Sequence, residues 1–159
     1  MKLKKTIIIA EAGVNHNGNI KIACNLARLA KRSKADFVKF QAFDPNNLCT
    51  KSAKKANYQI KKNDNETQLQ MLKRLSLSKK DILFLNNYCK KINIGLMFSV
   101  FDVDSYKIIK KIKYKYIKLP SGEINNYPLL EALEKDKSKI IFSTGMSNLK
   151  EIKYCYNIL

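Results

Sequence analysis

Short apolar runs and amphipathic stretches take turns along the whole chain. Thr6-Ile7-Ile8-Ile9-Ala10 is an uninterrupted apolar run ahead of turn residues Gly13 to Gly18, the pattern of a strand buried on both faces. From Ile20 to Lys34 the period changes. Ile22, Ala23, Leu26, Ala27, Leu29 and Ala30 recur at helical spacing, while Lys21, Asn25, Arg28 and Lys31 take the opposite face. Asp36 to Gln41 predicts a second strand, and the polar stretch from Asp44 to Asp64 is longer than an ordinary strand-to-helix connection, which marks it as a functional loop. Helices are predicted over Glu66–Leu75 and Lys79–Lys91, the latter with Ser78 as N-cap. Gly95 to Ser99 makes a third strand, Asp102 caps a helix running to about Ile112, and Tyr114 to Leu119 makes a fourth strand closed by Pro120 and Gly122. A helix over Tyr127–Glu134, a strand over Lys139–Ser143, a turn at Gly145 and a helix over Leu149–Leu159 complete the series.

Five strands alternating with helices imply right-handed βαβ units and a parallel sheet, hence an α/β fold. Two closures share this pattern: an open doubly wound sheet, complete at this length, and a (β/α)8 barrel of about 250 residues, of which five units would be present. The turn after the first strand, Glu11-Ala12-Gly13-Val14-Asn15-His16-Asn17-Gly18, lacks the Gly-x-Gly-x-x-Gly spacing of a dinucleotide fold. The pattern alone does not choose between the closures.

Composition narrows the setting. With 159 residues and 45% apolar content, the chain suits one domain. No run approaches the roughly 18 apolar residues of a membrane span, and the first apolar run is too short for a signal-peptide core. Cys24, Cys49, Cys89 and Cys155 form neither a CxxC pair nor a disulfide framework, so a cytoplasmic location is expected. The net charge of +18 raises a nucleic-acid-binding module as the competing class. Yet arginine occurs only at 28, 32 and 74, and the lysine, isoleucine, asparagine and tyrosine content matches an A/T-rich coding bias, so solvated helix faces are the expected use of this charge.

In parallel α/β folds the reactive groups collect at the carboxyl ends of the strands. Here those ends carry Glu11 with Asn15 and His16; Lys39 and Gln41 on one face; Ser99; Lys118 followed by Ser121-Gly122-Glu123; and Ser143-Thr144-Gly145. Ammonium groups, hydroxyls and turn amides suit a phosphate and a carboxylate, whereas carboxylates and an amide suit sugar hydroxyls. Taken singly, each could be a snorkelling lysine or an ordinary turn. Five polar strand ends around one rim favour a site for a phosphorylated acid and a polyol.

Ile9 to Gly18, Val38-Lys39-Phe40-Gln41, Lys118 to Glu123 with Asn125-Asn126-Tyr127-Pro128-Leu129, and Ser143-Thr144-Gly145-Met146 together resemble, in order and spacing, the motif series of the N-acetylneuraminate (sialic acid) synthase family. Legionaminic and pseudaminic acid synthases are close relatives in that group, and the Glu11-to-Gly18 motif looks more like the sialic and legionaminic branches. The resemblance implies a (β/α)8 barrel with a C-terminal antifreeze-like domain, a homodimer, and a divalent metal, Mn or Mg. Residues 1–159 would then be the N-terminal part of the barrel, about five of eight units. The implied reaction condenses phosphoenolpyruvate with an N-acetylmannosamine-like amino sugar. By position Lys39, Ser99, Lys118, Ser121 and Ser143 would hold phosphoenolpyruvate, Glu11, Gln41 and Glu123 would face the sugar and the reacting water, and Asn63 is offered as a sugar-loop residue.

Two departures stand out. Phe98-Ser99-Val100-Phe101-Asp102 replaces the family's Ser-Thr-Pro-Phe-Asp, so the hydroxyl comes from Ser99 and the proline is lost. The family's metal ligands are two histidines from later strands, and His16 is the only histidine of this sequence. The 159 residues by themselves are therefore expected to lack synthase activity, as a non-catalytic remnant or as one half that needs a complementary C-terminal half.

Overall fold

The computed structural model describes residues 6–55, 59 and 65–159, and Asn63 lies outside them. Strands β1 (Ile9–Gly13), β2 (Phe37–Ala42), β3 (Gly95–Val100), β4 (Tyr116–Leu119) and β5 (Lys139–Phe142) form one sheet. All its pairings are parallel and the spatial order is β1-β2-β3-β4-β5. A doubly wound sheet needs a point at which the order reverses, and there is none here. The sheet is part of a (β/α)8 barrel, with right-handed crossovers placing the helices on one side.

Those helices are α1 (Ile20–Arg32), α2 (Pro45–Leu48), α3 (Gln68–Leu75), α4 (Lys79–Lys91), α5 (Val103–Ile109), α6 (Tyr127–Glu134) and α7 (Leu149–Ile158). Local chemistry sets where they begin. Asn19 accepts from the amides of Lys21 and Ile22, and reciprocal capping boxes start α3 (Thr67 with Gln70), α4 (Ser78 with Asp81) and α7 (Asn148 with Glu151). Burial alternates with a period of two along β2, whereas β3 is buried on both faces from Leu96 to Val100. Val38, Phe40, Leu96, Phe98, Ile117 and Leu119 point to the helices and are buried with Ala23, Ala27, Leu85, Ile109, Leu129 and Leu133.

Several boundaries differ from the sequence expectation: α3 and β4 begin two residues late, at Gln68 and Tyr116, and three differences are larger. β1 begins at Ile9 rather than Thr6, leaving Ile7 and Ile8 44% and 52% exposed. Both precede the paired stretch of β1, which begins at Ile9. The Ile8 carbonyl still accepts from the amides of Asp36 and Phe37. The stretch after β2 contains a short helix, α2, started by Asp44, whose carboxylate accepts from the Asn46 amide at 2.9 Å. α5 stops at Ile109, three residues before the expected end.

At the opposite end of the strands from the polar rim, Asp136 ties three elements together. Its Oδ2 accepts from Tyr106 of α5 at 2.6 Å and from Tyr114 just before β4, and its Oδ1 accepts from the Ser138 amide at 2.7 Å. Burial opposes ionisation of Asp136, but the phenols and the Ser138 amide outweigh it and hold the pKa low. A carboxylate with a depressed folded pKa adds stability that is full above its unfolded pKa and lost as the pH falls through the folded one. Asp136→Ala, which strands two phenols, is expected to cost about 2–4 kcal/mol in thermal or urea melts at neutral pH, and Tyr106→Phe about 1 kcal/mol. The gap between the Asp136→Ala variant and the parent should narrow on acidification.

Candidate active site

Strand register decides which side chains share the concave face, away from the helices. Glu11 pairs with Lys39, Gln41 with Ser99, and Ser99 with Lys118, so these five residues from four strands stand side by side at the carboxyl ends. The Lys39 ammonium ion-pairs with Oε2 of Glu11 and donates to Oγ of Ser99 at 3.2 Å. The Gln41 amide and the Glu11 carboxylate both lie near Gly13, where a Cβ would sit 3.9 Å from Gln41 Nε2 and 3.5 Å from Glu11 Oε1. Gly13 has φ +54°, the left-handed backbone that lets the chain leave β1 just there.

Lys118 is the least comfortable cation of the group. Its ammonium donates to the Leu119 carbonyl at 2.6 Å, and burial, reinforced by the charge of Lys39 and opposed by that of Glu11, lowers its pKa to about 8. Two lysines flanking Ser99, with one carboxylate on the β1 side of Lys39, leave a net positive field on the concave face. A dianionic ligand would relieve their repulsion and restore the proton to Lys118.

The loops that follow β4 and β5 add the remaining groups. Ser121 opens a 3-10 turn over Ser121–Glu123, and its Oγ lies 3.4 Å from where a Cβ on Gly145 would be, so the two loops touch. Ser143 follows β5 directly, with its amide bonded to the Leu119 carbonyl at 3.2 Å. Glu123 turns elsewhere. It accepts from Asn126 Nδ2 at 2.8 Å and faces a cavity of about 320 Å3 that it shares with Asn47, Phe101, Asp102, Asp104 and Asn126. Burial, with the Asp102 charge adding to it and the Asn126 bond opposing it, raises the Glu123 pKa.

Sequence reasoning gave Asp102 only a capping role. Buried at 6% exposure, it does cap α5 through the Ser105 amide at 2.8 Å, but it also accepts from the Asp44 amide at 2.7 Å. It thereby fixes the start of the long loop against the cavity that Glu123 faces. The Phe-Asp pair after the third strand was the available signal. His16 is fully buried under the β1–α1 loop, stacked at 5.8 Å against Phe40, and its Nδ1 accepts from the Gly18 amide at 3.0 Å. Burial lowers its pKa, against a smaller opposite effect of Asp81.

A divalent metal of the kind implied by the sequence resemblance does not fit the donors found here. No group of three His, Cys, Asp or Glu side chains is arranged to hold a metal among the described residues, and the His16 nitrogen facing Gly18 is already bonded.

Partial barrel, concave cationic rim and serine-bearing loops define a parallel α/β-barrel protein. The chain belongs to the NeuB family, whose profile matches residues 26–159. It is 48% identical over 158 residues to N,N'-diacetyllegionaminic acid synthase of Campylobacter jejuni, covering 99% of this chain and 47% of that protein. The corresponding Legionella pneumophila synthase is 43% identical, with 92% and 41% covered. The crystal structure of N-acetylneuraminic acid (sialic acid) synthetase from Leptospira borgpetersenii, in complex with citrate, superposes with a TM-score of 0.83 at 29% identity, over 98% of this chain and 50% of that one. The chain thus spans about half the length of the relatives it matches. A 3-deoxy-D-arabino-heptulosonate 7-phosphate synthase from Thermotoga maritima, at 11% identity and TM-score 0.63, shares the fold.

Proposed function

We propose that this chain supplies the phosphoenolpyruvate-binding part of a nonulosonic-acid synthase, which joins phosphoenolpyruvate to the aldehyde of an amino sugar. The observation that carries the reading is the Glu11–Lys39–Ser99–Lys118 constellation on the concave face, with the Lys118 pKa lowered to about 8. Lys39 and Lys118 face the phosphate and carboxylate of the ligand, with the hydroxyls of Ser99, Ser121 and Ser143 as further donors. In the reaction C3 of phosphoenolpyruvate bonds to the aldehyde carbon, water adds at C2, and the C2–O bond breaks as phosphate leaves. Glu123 faces the neighbouring cavity and not this rim. Glu11 and Gln41, both near Gly13, face the sugar hydroxyls and the attacking water. The similarity of 48% to a legionaminic acid synthase, against 26% to the pseudaminic acid synthase of Helicobacter pylori, favours a sugar of the legionaminic or sialic type.

Calorimetric titration of the full chain with phosphoenolpyruvate tests this. Binding is expected to saturate at physiological salt and to weaken roughly 10- to 100-fold in Lys39→Ala and Lys118→Ala, the loss of about 1.5–3 kcal/mol of charge-assisted hydrogen bonding. Affinity should fall as the pH rises past about 8, where free Lys118 loses its charge, and binding above that pH should take up a proton. Binding that neither substitution weakens would overturn the assignment. Tight polynucleotide binding that collapses with added salt would instead favour a nucleic-acid module.

A further inference from the structure

At the other end of the strands from the catalytic rim lies a second crevice, of about 300 Å3, between α4 and the connection from α5 to β4. Its apolar walls are Phe37, Ile94 and Leu96, and Phe37 and Gly95 are the first residues of β2 and β3. Both strands are interior to the sheet among the described residues. Gly95 keeps it from filling, because a Cβ there would come within 2.3 Å of the Phe37 ring.

Two features of the crevice bear on what it could hold. Asn86 of α4 is 94% buried, being 6% exposed, and lines it, yet the side-chain amide makes no hydrogen bond among the described residues. That amide opens onto the crevice, where solvent or a ligand can meet it. Lys90, Lys113 and Lys115 line the same space, and none of them has a carboxylate partner among the described residues. Lys115 touches only the Tyr116 ring, 5.4 Å from its centroid. Lys90 sits in the last turn of α4, where a cation offsets the helix dipole, but Lys113 and Lys115 lie on a connection and have no such duty. The last α4 carbonyls are already taken: those of Tyr88, Cys89 and Lys90 accept from Ile92, Ile94 and Asn93, each at 3.1 Å. They do not compete for the lysines.

We propose that this crevice is a second ligand site, taking a small organic anion whose apolar body packs against Phe37 and Leu96. Its carboxylate or phosphate meets Lys113, Lys115 and the Asn86 amide. The volume is at the lower end of the roughly 300–1,000 Å3 range for small-molecule sites. Lying across the strands from the rim, such a ligand would regulate rather than react.

The test is an NMR titration of the full chain with phenyl phosphate, benzoate and inorganic phosphate at physiological salt. Saturable shifts centred on the Asn86 side-chain amide, Gly95 and Leu96 are expected with at least one of the two aromatic anions, and which one binds more tightly identifies the head group. Lys113→Glu with Lys115→Glu, both exposed, should weaken that binding about tenfold or more with the melting temperature unchanged. Asn86→Ala should weaken it too, and the lysine pair decides the matter if that variant folds poorly. Inorganic phosphate binding as tightly as the aromatic anions would overturn the proposal. So would shifts confined to the Lys39–Lys118 rim, or a linear response spread over the lysine-rich surface. Because phosphoenolpyruvate binding is read at Lys39 and Lys118, failure at either end leaves the other result standing.

Discussion

Gly18→Ala melts far below the parent protein, with a loss of about 3–4 kcal/mol, whereas Gly122→Ala melts within a degree or two of it. Gly18 has φ +73°, a backbone that costs an L side chain about 1–2 kcal/mol. Its Cβ would also meet the Arg74 carbonyl oxygen at 2.2 Å, with the Arg74 carbon at 3.4 Å and the Ser76 oxygen at 3.5 Å. These are backbone atoms at the end of α3, so no rotamer change relieves the clash, and either the β1–α1 loop or α3 must move. Gly122 has nothing within 4 Å of its Cβ position. The loss for Gly18 is a large part of a domain's usual 5–15 kcal/mol. The same loop buries His16 through the Gly18 amide and leads back to Glu11, so phosphoenolpyruvate binding should weaken in whatever fraction stays folded. Circular-dichroism melts of the two alanine variants check this, and equal melting temperatures would show that the loop does not pack on α3 as described.

The elements were legible because their signals are local. Asn19, Ser78, Asp102 and Asn148 stand where helices start, and Lys39 with Gln41 is a two-residue spacing that any strand places on one face. What the residues alone left open was non-local. Closure of the sheet is a matter of strand order, which five similar βα units do not encode, and it took the motif resemblance to point to the barrel. Register is also non-local, and it alone brings Ser99 level with both Gln41 and Lys118. Glu123 shows a different limit. Sequence position puts it beside Ser121 on the rim, but the 3-10 turn directs its carboxylate to Asn126 and the cavity floored by Asp102. The exposure of Ile7 and Ile8 has the same origin: an apolar run says strand, and only pairing says where the strand begins.

The open edges of the sheet lead to the second large effect, self-association of the 159-residue polypeptide. β1 and β5 each present one unpaired backbone edge, the arrangement that templates strand addition by another chain. Ile7 and Ile8 flank one edge, and Ile141, 36% exposed, lies on the other. By register Ile9, Phe37, Tyr116 and Ile141 belong to the concave face, where a closed barrel would set other strands opposite them. Phe98 and Phe142 do not: they face the helices, and Phe98 is 1% exposed. Ile7, Ile8 and Ile141 are the exposed apolar side chains at these edges, and covering each regains part of the full-burial gain of about 1.5–3 kcal/mol, a drive to associate. Sedimentation is expected to show concentration-dependent oligomers. Ile8→Lys with Ile141→Lys, which place charge on both edges, should shift the distribution toward monomer without lowering the melting temperature. Co-expression of the segment that the relatives carry beyond the matched region should raise the melting temperature and give one discrete complex. A monodisperse monomer with a sharp transition at high temperature, obtained without the lysine substitutions or a partner, would mean that the edges and the concave face are stable uncovered.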